Sequence, residues 1–230
     1  YKQWFEDFEF PISKECAASI GRPDLEGKPY KSSGGPMIWN DKFSCAIPHK
    51  WNNGTFLDHA KIVMGQSPKG DSYNIDGLGM PLINGPVEFG DYFTNKVKWT
   101  ISPTKTCDKG DLIICVRGST TGRFVKSDDK YCLGRGVCSF KGKISQYFVD
   151  LLFKENLNSM LTLTTGSTFP NWRREELESF SIIVPDKYVI SSFDQIVSKI
   201  FHKVENTSKE IISLSKFINL ILQKMTKVEA

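Results

Sequence analysis

The stretch ISSFDQIVSKIFHKVENTSKEIISLSKFINLILQKM, Ile190 to Met225, organises the reading of the whole chain. Its apolar residues step alternately by three and four, at Ile190, Phe193, Val197, Ile200, Val204, Ile211, Leu214, Ile218, Ile221 and Met225, and only Thr207 breaks the series. That is a heptad seam, and no Pro or Gly interrupts the chain after Pro185, so the spacing predicts one continuous helix of about 54 Å at a rise of 1.5 Å per residue. Ser192, with Gln195 three residues later, is the expected capping box at its start. A seam of this length needs a partner helix. Ile196, Phe201, Ile212, Phe217, Leu220 and Leu222 widen the apolar stripe beyond a two-stranded seam and suggest that more than one surface is covered.

The chain has 230 residues and 40% hydrophobic content, enough for one globular domain with a core plus an extension. Its formal net charge of +4 is concentrated: residues 103–145 hold nine Lys and Arg against four Asp and Glu. Such a basic stretch suggests an anionic partner, although a solvated basic face is the commoner cause. Cys16, Cys45, Cys107, Cys115, Cys132 and Cys138 form no CxxC pair and have no nearby His to complete a zinc site, so buried or free thiols are expected. No signal peptide and no apolar run long enough to span a bilayer is seen, which makes the cytoplasm the default expectation. Tyr1 to Phe10 reads as the end of an aromatic-rich helix, so a piece of a longer chain is expected.

Residues 11–50 carry frequent Pro and Gly with little periodicity and read as a linker or meandering arm. From Trp51 short apolar segments alternate with turn residues. A strand and short helix are expected within Thr55 to Met64, strands at Met80 to Asn84, Leu112 to Val116, Val137 to Phe140 and Ile182 to Val184, and a helix over Gln146 to Leu163.

Loops rich in Gly and hydroxyl residues punctuate these segments: Gly65 to Tyr73, Arg117 to Arg123, Leu133 to Gly136, and Thr165 to Arg174. Small residues let a backbone approach a ligand, hydroxyls and amides donate to phosphate, and Arg can take a phosphate or a guanine edge bidentately. Gly, Ser and Thr also simply make turns, the commoner cause for any one loop. Four such loops carrying Arg117, Arg123, Arg135 and Arg173 beside the basic stretch favour nucleic acid.

Catalytic patterns are weaker. Gly21 to Pro29 is one residue too long for a phosphate-binding loop and has Pro29 where Ser or Thr would meet magnesium; Gly77-Leu-Gly79 lacks the third glycine of a dinucleotide fingerprint. His49, His59 and His202 have no evident acid or thiol partner. Asp108 and Asp111, flanking Lys109, faintly suggest a nuclease carboxylate pair, with a solvated turn as the favoured alternative.

Taken in order, these residues resemble a family: the DNA specificity subunit of type I restriction-modification enzymes. The resemblance rests on Ile47-Pro48 and Trp51 before Leu57, Gly65-x-Ser67-Pro68 with Tyr73, Lys109 to Ile114 followed by Arg117-Gly-Ser119, Gly134-Arg135-Gly136, Gly166 to Pro170, Leu177, Ile182 to Pro185, and Gln195-Ile196. Tyr1 to Pro11 is similar to the close of the family's central conserved helix. Two departures stand out: the segment after Pro185 is looser than the usual helix opening, and only one recognition domain and one conserved helix are visible where the family usually carries two of each.

The resemblance implies a fold of α/β (α+β) type, with mixed short strands and helices, followed by one long coiled-coil helix. Residues 1–39 are expected to close a central conserved helix and form a linker arm, 40–186 to form a target-recognition domain, and 187–230 to form the conserved spacer helix. It implies a non-catalytic subunit that reads one half of a split target in double-stranded DNA. The helix would pack against a second conserved helix, from a missing half or another copy, and dock methyltransferase subunits. A restriction/translocase subunit is a further expected partner, and S-adenosylmethionine, ATP and magnesium are expected only in partner subunits. The expected DNA-facing set is Lys69, Ser72, Tyr73, Arg117, Ser119, Thr121, Arg123, Arg135, Thr168, Asn171 and Arg173. Two other readings stay open: an assembly module without DNA readout of its own, and a metal-dependent nuclease using Asp108 and Asp111.

Overall fold

Leu112-Ile-Ile-Cys-Val116 is apolar at every position and buried at every position, so both faces of this strand are covered. Leu112, Ile114 and Val116 enter the larger of two cores, while Ile113 and Cys115 enter the smaller, as the alternation of side chains along a strand requires. The remaining elements assemble around that strand.

The computed structural model describes residues 1–162 and 170–228. The first elements are α1 (Lys2–Phe5), α2 (Lys14–Ser19), β1 (Met37–Asn40), β2 (Cys45–Pro48), β3 (Asn52–Thr55), α3 (Phe56–His59), β4 (Ala60–Met64), β5 (Tyr73–Asn74), β6 (Met80–Ile83) and β7 (Trp99–Thr100). They are followed by β8 (Lys105–Cys107), β9 (Leu112–Cys115), β10 (Phe124–Lys126), β11 (Tyr131–Leu133), β12 (Val137–Gly142), α4 (Gln146–Leu161), α5 (Arg174–Ser179), β13 (Ser181–Val184) and α6 (Lys187–Val228). An antiparallel sheet runs in the order β10-β9-β12-β4. A second sheet, β5-β7-β6-β11-β8, is mixed, with β6 and β11 parallel. The smaller core lies between strands of these two sheets and includes Ile83, Ile113, Cys115, Val125, Tyr131, Leu133 and Val137. The larger core joins the other face of the antiparallel sheet to α4, α5, β13 and the start of α6. All the expected strands and the helix over α4 are present; the mixed α+β fold with a long final helix stands as read.

Residues 1–39 depart from the linker expectation. Phe5, Phe8, Phe10, Ile12, Ala17, Leu25 and Tyr30 are buried in the larger core together with residues of the globular domain. Phe10 stacks between Tyr30, at 4.6 Å, and Trp51, at 5.2 Å, while Phe5 meets Phe193 of α6 edge-on at 4.9 Å. The aromatic start is one helical turn, α1, after which Phe8 takes a φ of 60° and the chain bends back onto the core. Pro and Gly supply the turns here, and single apolar residues, too irregularly spaced to read as an element, supply the packing. The hairpin β1–β2 follows, spanning residues 37–48 within the stretch 11–50 that reads as a linker or arm, and that irregularity concealed it.

The long helix starts earlier than its expected capping box. It opens at Lys187, and Asp186 rather than Ser192 serves its first turn, accepting from the Tyr188 backbone N–H at 2.7 Å. The single seam of the sequence divides between two directions. Ile190, Phe193 and Val197 pack into the chain's own core. Ile200, Val204, Ile211, Leu214, Ile218, Ile221 and Met225 lie exposed, Ile200 at 60% and Met225 at 62%. The heptad steps persist beyond Val197, but there the residues of α6 that meet the domain are Phe201, Glu205 and Lys209, and the seam faces away from it.

The fold carries two tests. If residues 1–39 belong to the core, Phe5→Ala lowers stability by about 3–5 kcal/mol in urea unfolding followed by tryptophan fluorescence; an unshifted midpoint would restore the linker reading. His59 is buried with neither ring nitrogen partnered among the described residues and Phe148 edge-on at 5.0 Å, and burial lowers its pKa to about 4. The folded pKa lies below the unfolded one, near 6.5, so the unfolded chain binds the proton more tightly in between, and stability present above that range is lost as pH falls toward 4. Between pH 7 and 4 the protein should lose up to about 3 kcal/mol more stability than a His59→Leu variant. Parallel pH profiles for the two would count against this assignment.

Candidate nucleic-acid interface

Strand direction sorts the connections into two groups. At one end, β4 leads into residues 65–72, β6 into 84–98, β9 into 116–123, and β11 passes through 134–136 into β12. At the other end lie the turns 108–111 and 127–130 and the segment 143–145 that enters α4. Three of the four loops singled out in the sequence fall within the first group, joined by residues 170–173.

Backbone bonds hold these loops as one surface. Gly65 N–H donates to Val137 O at 3.0 Å, Gln66 N–H to Leu133 O at 2.8 Å, and Gly134 N–H to Ile83 O at 2.7 Å. Gly118 N–H donates to Pro170 O at 3.0 Å and Trp172 N–H to Val116 O at 2.9 Å, and Arg117 bridges Asn171. Trp172 itself is buried, its indole donating to Met160 O at 3.0 Å, so the 170–173 segment is pinned from below. A Cβ on Gly65 would strike the Gly134 carbonyl, and one on Gly134 would strike the Asn84 side chain. Glycine is required at 65, where the obstacle is backbone, while at 134 a larger residue would have to displace the Asn84 side chain.

The expected DNA-facing residues sort by what their side chains already do. Arg117, Ser119, Arg123, Arg135 and Arg173 are exposed on this end, and Lys69 is exposed on the adjoining loop. Among the described residues, none of these guanidinium groups or the Lys69 ammonium makes an ion pair. Arg123 rests over the Phe89 ring at 6.0 Å. Tyr73 is half-buried, with Lys98 over its ring at 5.8 Å. Ser72 does not fit the set: it is 6% exposed, and its hydroxyl donates to Lys69 O at 2.6 Å and sits 2.8 Å from Thr100 Oγ1. Thr121 is likewise occupied, its hydroxyl lying 2.8 Å from both Gly118 O and Pro170 O. Both shape loops rather than present donors. Asn171 is half-buried beside Arg117. Thr168 lies outside the described residues.

Charge follows the same division. Of the nine basic and four acidic residues between 103 and 145, Lys105, Arg117, Arg123 and Arg135 stand at the loop end with no acid, giving 4 − 0, while the far end has 5 − 4. The far-end acids are engaged: Asp108 with Lys141 at 2.6 Å, Asp129 with Lys96 at 2.6 Å, and Asp128 with Tyr131 Oη at 2.6 Å. Glu88, at the loop end, is buried and accepts from the Asn84 and Gly85 backbone N–H groups at 3.2 and 3.1 Å.

The Asp108 and Asp111 pair is built into a turn. The Lys141 hydrogen bond holds the Asp108 carboxyl below its usual range. Asp111 is buried, which raises its pKa, and it accepts from Asp108 N–H at 2.9 Å. Among the described residues no three His, Cys, Asp or Glu side chains converge to hold a metal ion. None of the described helices is long and apolar enough to cross a membrane.

Sequence reasoning missed two contributors to the loop end. The Asn84-Gly-Pro86 turn carries the ordinary signal of a tight connection, and its role as a neighbour of Gly134 appears only in three dimensions. Lys105 opens β8 opposite Leu133, and Thr104 beside it donates to the Gln66 carbonyl; nothing in its neighbours sets it apart from other lysines.

Comparison with known proteins bears on this surface. A model of the type I restriction modification DNA specificity domain matches residues 48–219. The chain is 31% identical over 176 residues to a protein of Methanocaldococcus jannaschii described as the type I restriction enzyme MjaX specificity subunit, covering 74% of this chain and 41% of that protein. To the MjaIX specificity subunit of the same organism it is 20% identical, over 98% of this chain and 50% of that one. The chain therefore spans half or less of the length of these curated relatives. Among solved structures, the HsdS subunit from Thermoanaerobacter tengcongensis matches with a TM-score of 0.55 at 23% identity, over 69% of this chain and 40% of that one. A chain from a study of complex assembly and conformational transition in the type I R-M system matches at 0.56 and 21% identity, over 82% and 48%. At these identities the structural likeness concerns the fold. The family match covers most of the sequence, loops and most of the long helix included, and the chain belongs to the type I restriction modification DNA specificity domain family.

Proposed function

We propose that this chain reads one half of a split target in double-stranded DNA with its loop end, as the non-catalytic specificity component of a type I restriction-modification assembly. The observation that carries the reading is the charge division: the loops converging at one end present Arg117, Arg123, Arg135 and Arg173 without ion-pair partners among the described residues, while the acids of residues 103–145 are gathered at the other. Guanidinium groups on glycine-rich loops suit both phosphate anchoring and bidentate contact with guanine in the major groove. Lys69, Lys105, Ser119, Tyr73 and Asn171 complete the proposed surface, and Ser72 and Thr121 support it from behind.

In this reading α6 is the spacer between two half-sites. Its exposed seam beyond Val197 is offered to a second conserved helix and to methyltransferase subunits, which would supply chemistry dependent on S-adenosylmethionine. ATP-driven translocation and cleavage, with magnesium, would belong to a restriction subunit, and the assembly would work in the cytoplasm.

Binding of the assembled complex to its methylation target tests the reading. Changing Arg117, Arg123 and Arg135 together to Ala should weaken binding at least about tenfold and make the salt dependence of log K shallower by up to about 3, depending on how many of the three touch phosphate. Changing Lys61, Lys109 and Lys130 at the far end removes the same charge and should alter neither quantity. Unchanged affinity and salt slope in the arginine variant, or an equal loss in the lysine variant, would refute the placement of the interface.

A further inference from the structure

Beyond the core packing of Ile190, Phe193 and Val197, the contact between the globular domain and α6 continues as a flat ring pair braced along the helix. Tyr147, in the first turn of α4, stacks on Phe201 of α6 with centroids 4.7 Å apart and planes 10° from parallel. Its hydroxyl lies 3.4 Å from Glu205 Oε1, and His202 stands edge-on to its ring at 5.9 Å. Behind the ring, Lys126 Nζ lies 5.9 Å from the Tyr147 centroid and pairs with Asp150 Oδ2 at 2.6 Å, both groups buried. Gln146 donates to the other Asp150 oxygen at 2.8 Å. Two braces flank the stack: the Ser145 hydroxyl bonds Asp194, and Lys209 reaches over the Phe93 ring at 5.8 Å. Asp194 and Lys209 are separated by about 22 Å along the helix at 1.5 Å per residue. A helix held at points so far apart can still turn about its own axis, and the flat ring pair between them opposes that turn.

The strand behind the joint leads straight to the loop end. β10 ends at Lys126, beside Tyr147, and begins directly after Arg123 of the proposed DNA surface. Three residues of a strand paired with β9 separate the two. The orientation of the ring pair is thus tied to the orientation of the reading loops by short, fully packed structure.

We propose that Tyr147 and Phe201 are positioning residues that fix the angle between the reading end and α6, and through it the spacer length the assembly accepts between half-sites. The proposal rests on the DNA-reading function argued above. Adding one base pair to a spacer moves a half-site by about 3.4 Å along the duplex and about 34° around it, since a turn takes about 34–36 Å and 10–10.5 base pairs. A stacked pair between two distant braces resists that rotation, whereas an aliphatic contact of the same area has no preferred plane. Ring contacts of this kind add to their buried area an effect of up to about tenfold in selectivity.

The test maps methylated sites in cells carrying the full-length protein and its methyltransferase partners, where both half-site sequence and spacer length are read directly. Phe201→Ala and Tyr147→Ala should keep the half-site bases while raising methylation at spacers one base pair longer or shorter by about tenfold. Phe201→Tyr should retain the original spacer. If Phe201→Ala does not accumulate as folded protein, Phe201→Leu, which keeps apolar volume without a flat ring, is read by the same criteria. An unchanged spacer in the ring-less variants overturns the joint, and so does a changed half-site sequence. Absence of any two-part methylated site with the unaltered protein would instead defeat the DNA-reading function on which the joint depends.

Discussion

Burial of Leu112–Val116 on both faces is the constraint on which the remainder of the fold depends. A strand covered on both sides has no solvated edge on which to place polar side chains, so charge and turn chemistry are displaced to its two ends. At one end Asp111 turns inward and Asp108 pairs with Lys141. At the other the chain leaves the sheet through Arg117-Gly-Ser119 and returns through Arg123. The neighbouring strands inherit the division, because β12, β10 and β4 are all antiparallel partners within the same sheet and their connections must emerge at one end or the other. The basic loop end is a consequence of the core rather than a feature added to it.

This explains which parts were legible from sequence. Runs such as Leu112–Val116 and the regular spacing in Gln146–Leu161 identify themselves, because one element satisfies its own pattern. The aromatic arm did not, since Phe5, Phe8 and Phe10 all pack on Trp51, some forty residues along the chain, and Phe5 also on Phe193 of the final helix, and the three-residue step from Phe5 to Phe8 and the two-residue step to Phe10 sustain no single period. The site shows the same limit. Arg117, Arg123 and Arg135 could be chosen by residue type and loop context. Ser72 and Thr121 look equally suitable in sequence, and only the positions of Thr100 and Pro170 reveal that their hydroxyls are already committed. A hydroxyl in a glycine-rich loop is as able to close the loop as to serve a ligand.

The buried Lys126–Asp150 pair illustrates how specificity and stability separate. Burial raises the Asp150 pKa against the lowering effect of Lys126, so the pair is held by mutual charge in a place that disfavours either ion alone. Such pairs often add little net stability over apolar residues of similar size, yet removing one partner is costly. Asp150 also accepts from Gln146, and Lys126 lies near the Tyr147 ring, so each member of the pair has a second neighbour that orients it. The same burial, with Glu205 nearby, pushes the Tyr147 hydroxyl up to about 12, so that ring stays neutral against Phe201.

The long helix has two regimes. As far as Lys209 it is fastened to its own domain by apolar packing, ring stacking and charge, and its helical state is secured by tertiary contact. Beyond that, Ile211, Leu214, Phe217, Ile218, Leu220 and Ile221 are exposed and contribute no burial to the fold. Helices of one or two dozen residues are marginal in water without tertiary packing, so an anchored first half lowers only the nucleation cost of the second. What would stabilise the second half is cover for its apolar seam, and an apolar surface this continuous on a helix marks an interface. Because the seam is continuous in register with the docked residues Ile190, Phe193 and Val197, a partner helix laid along it would be oriented relative to the globular domain by the same contacts that hold α6 there.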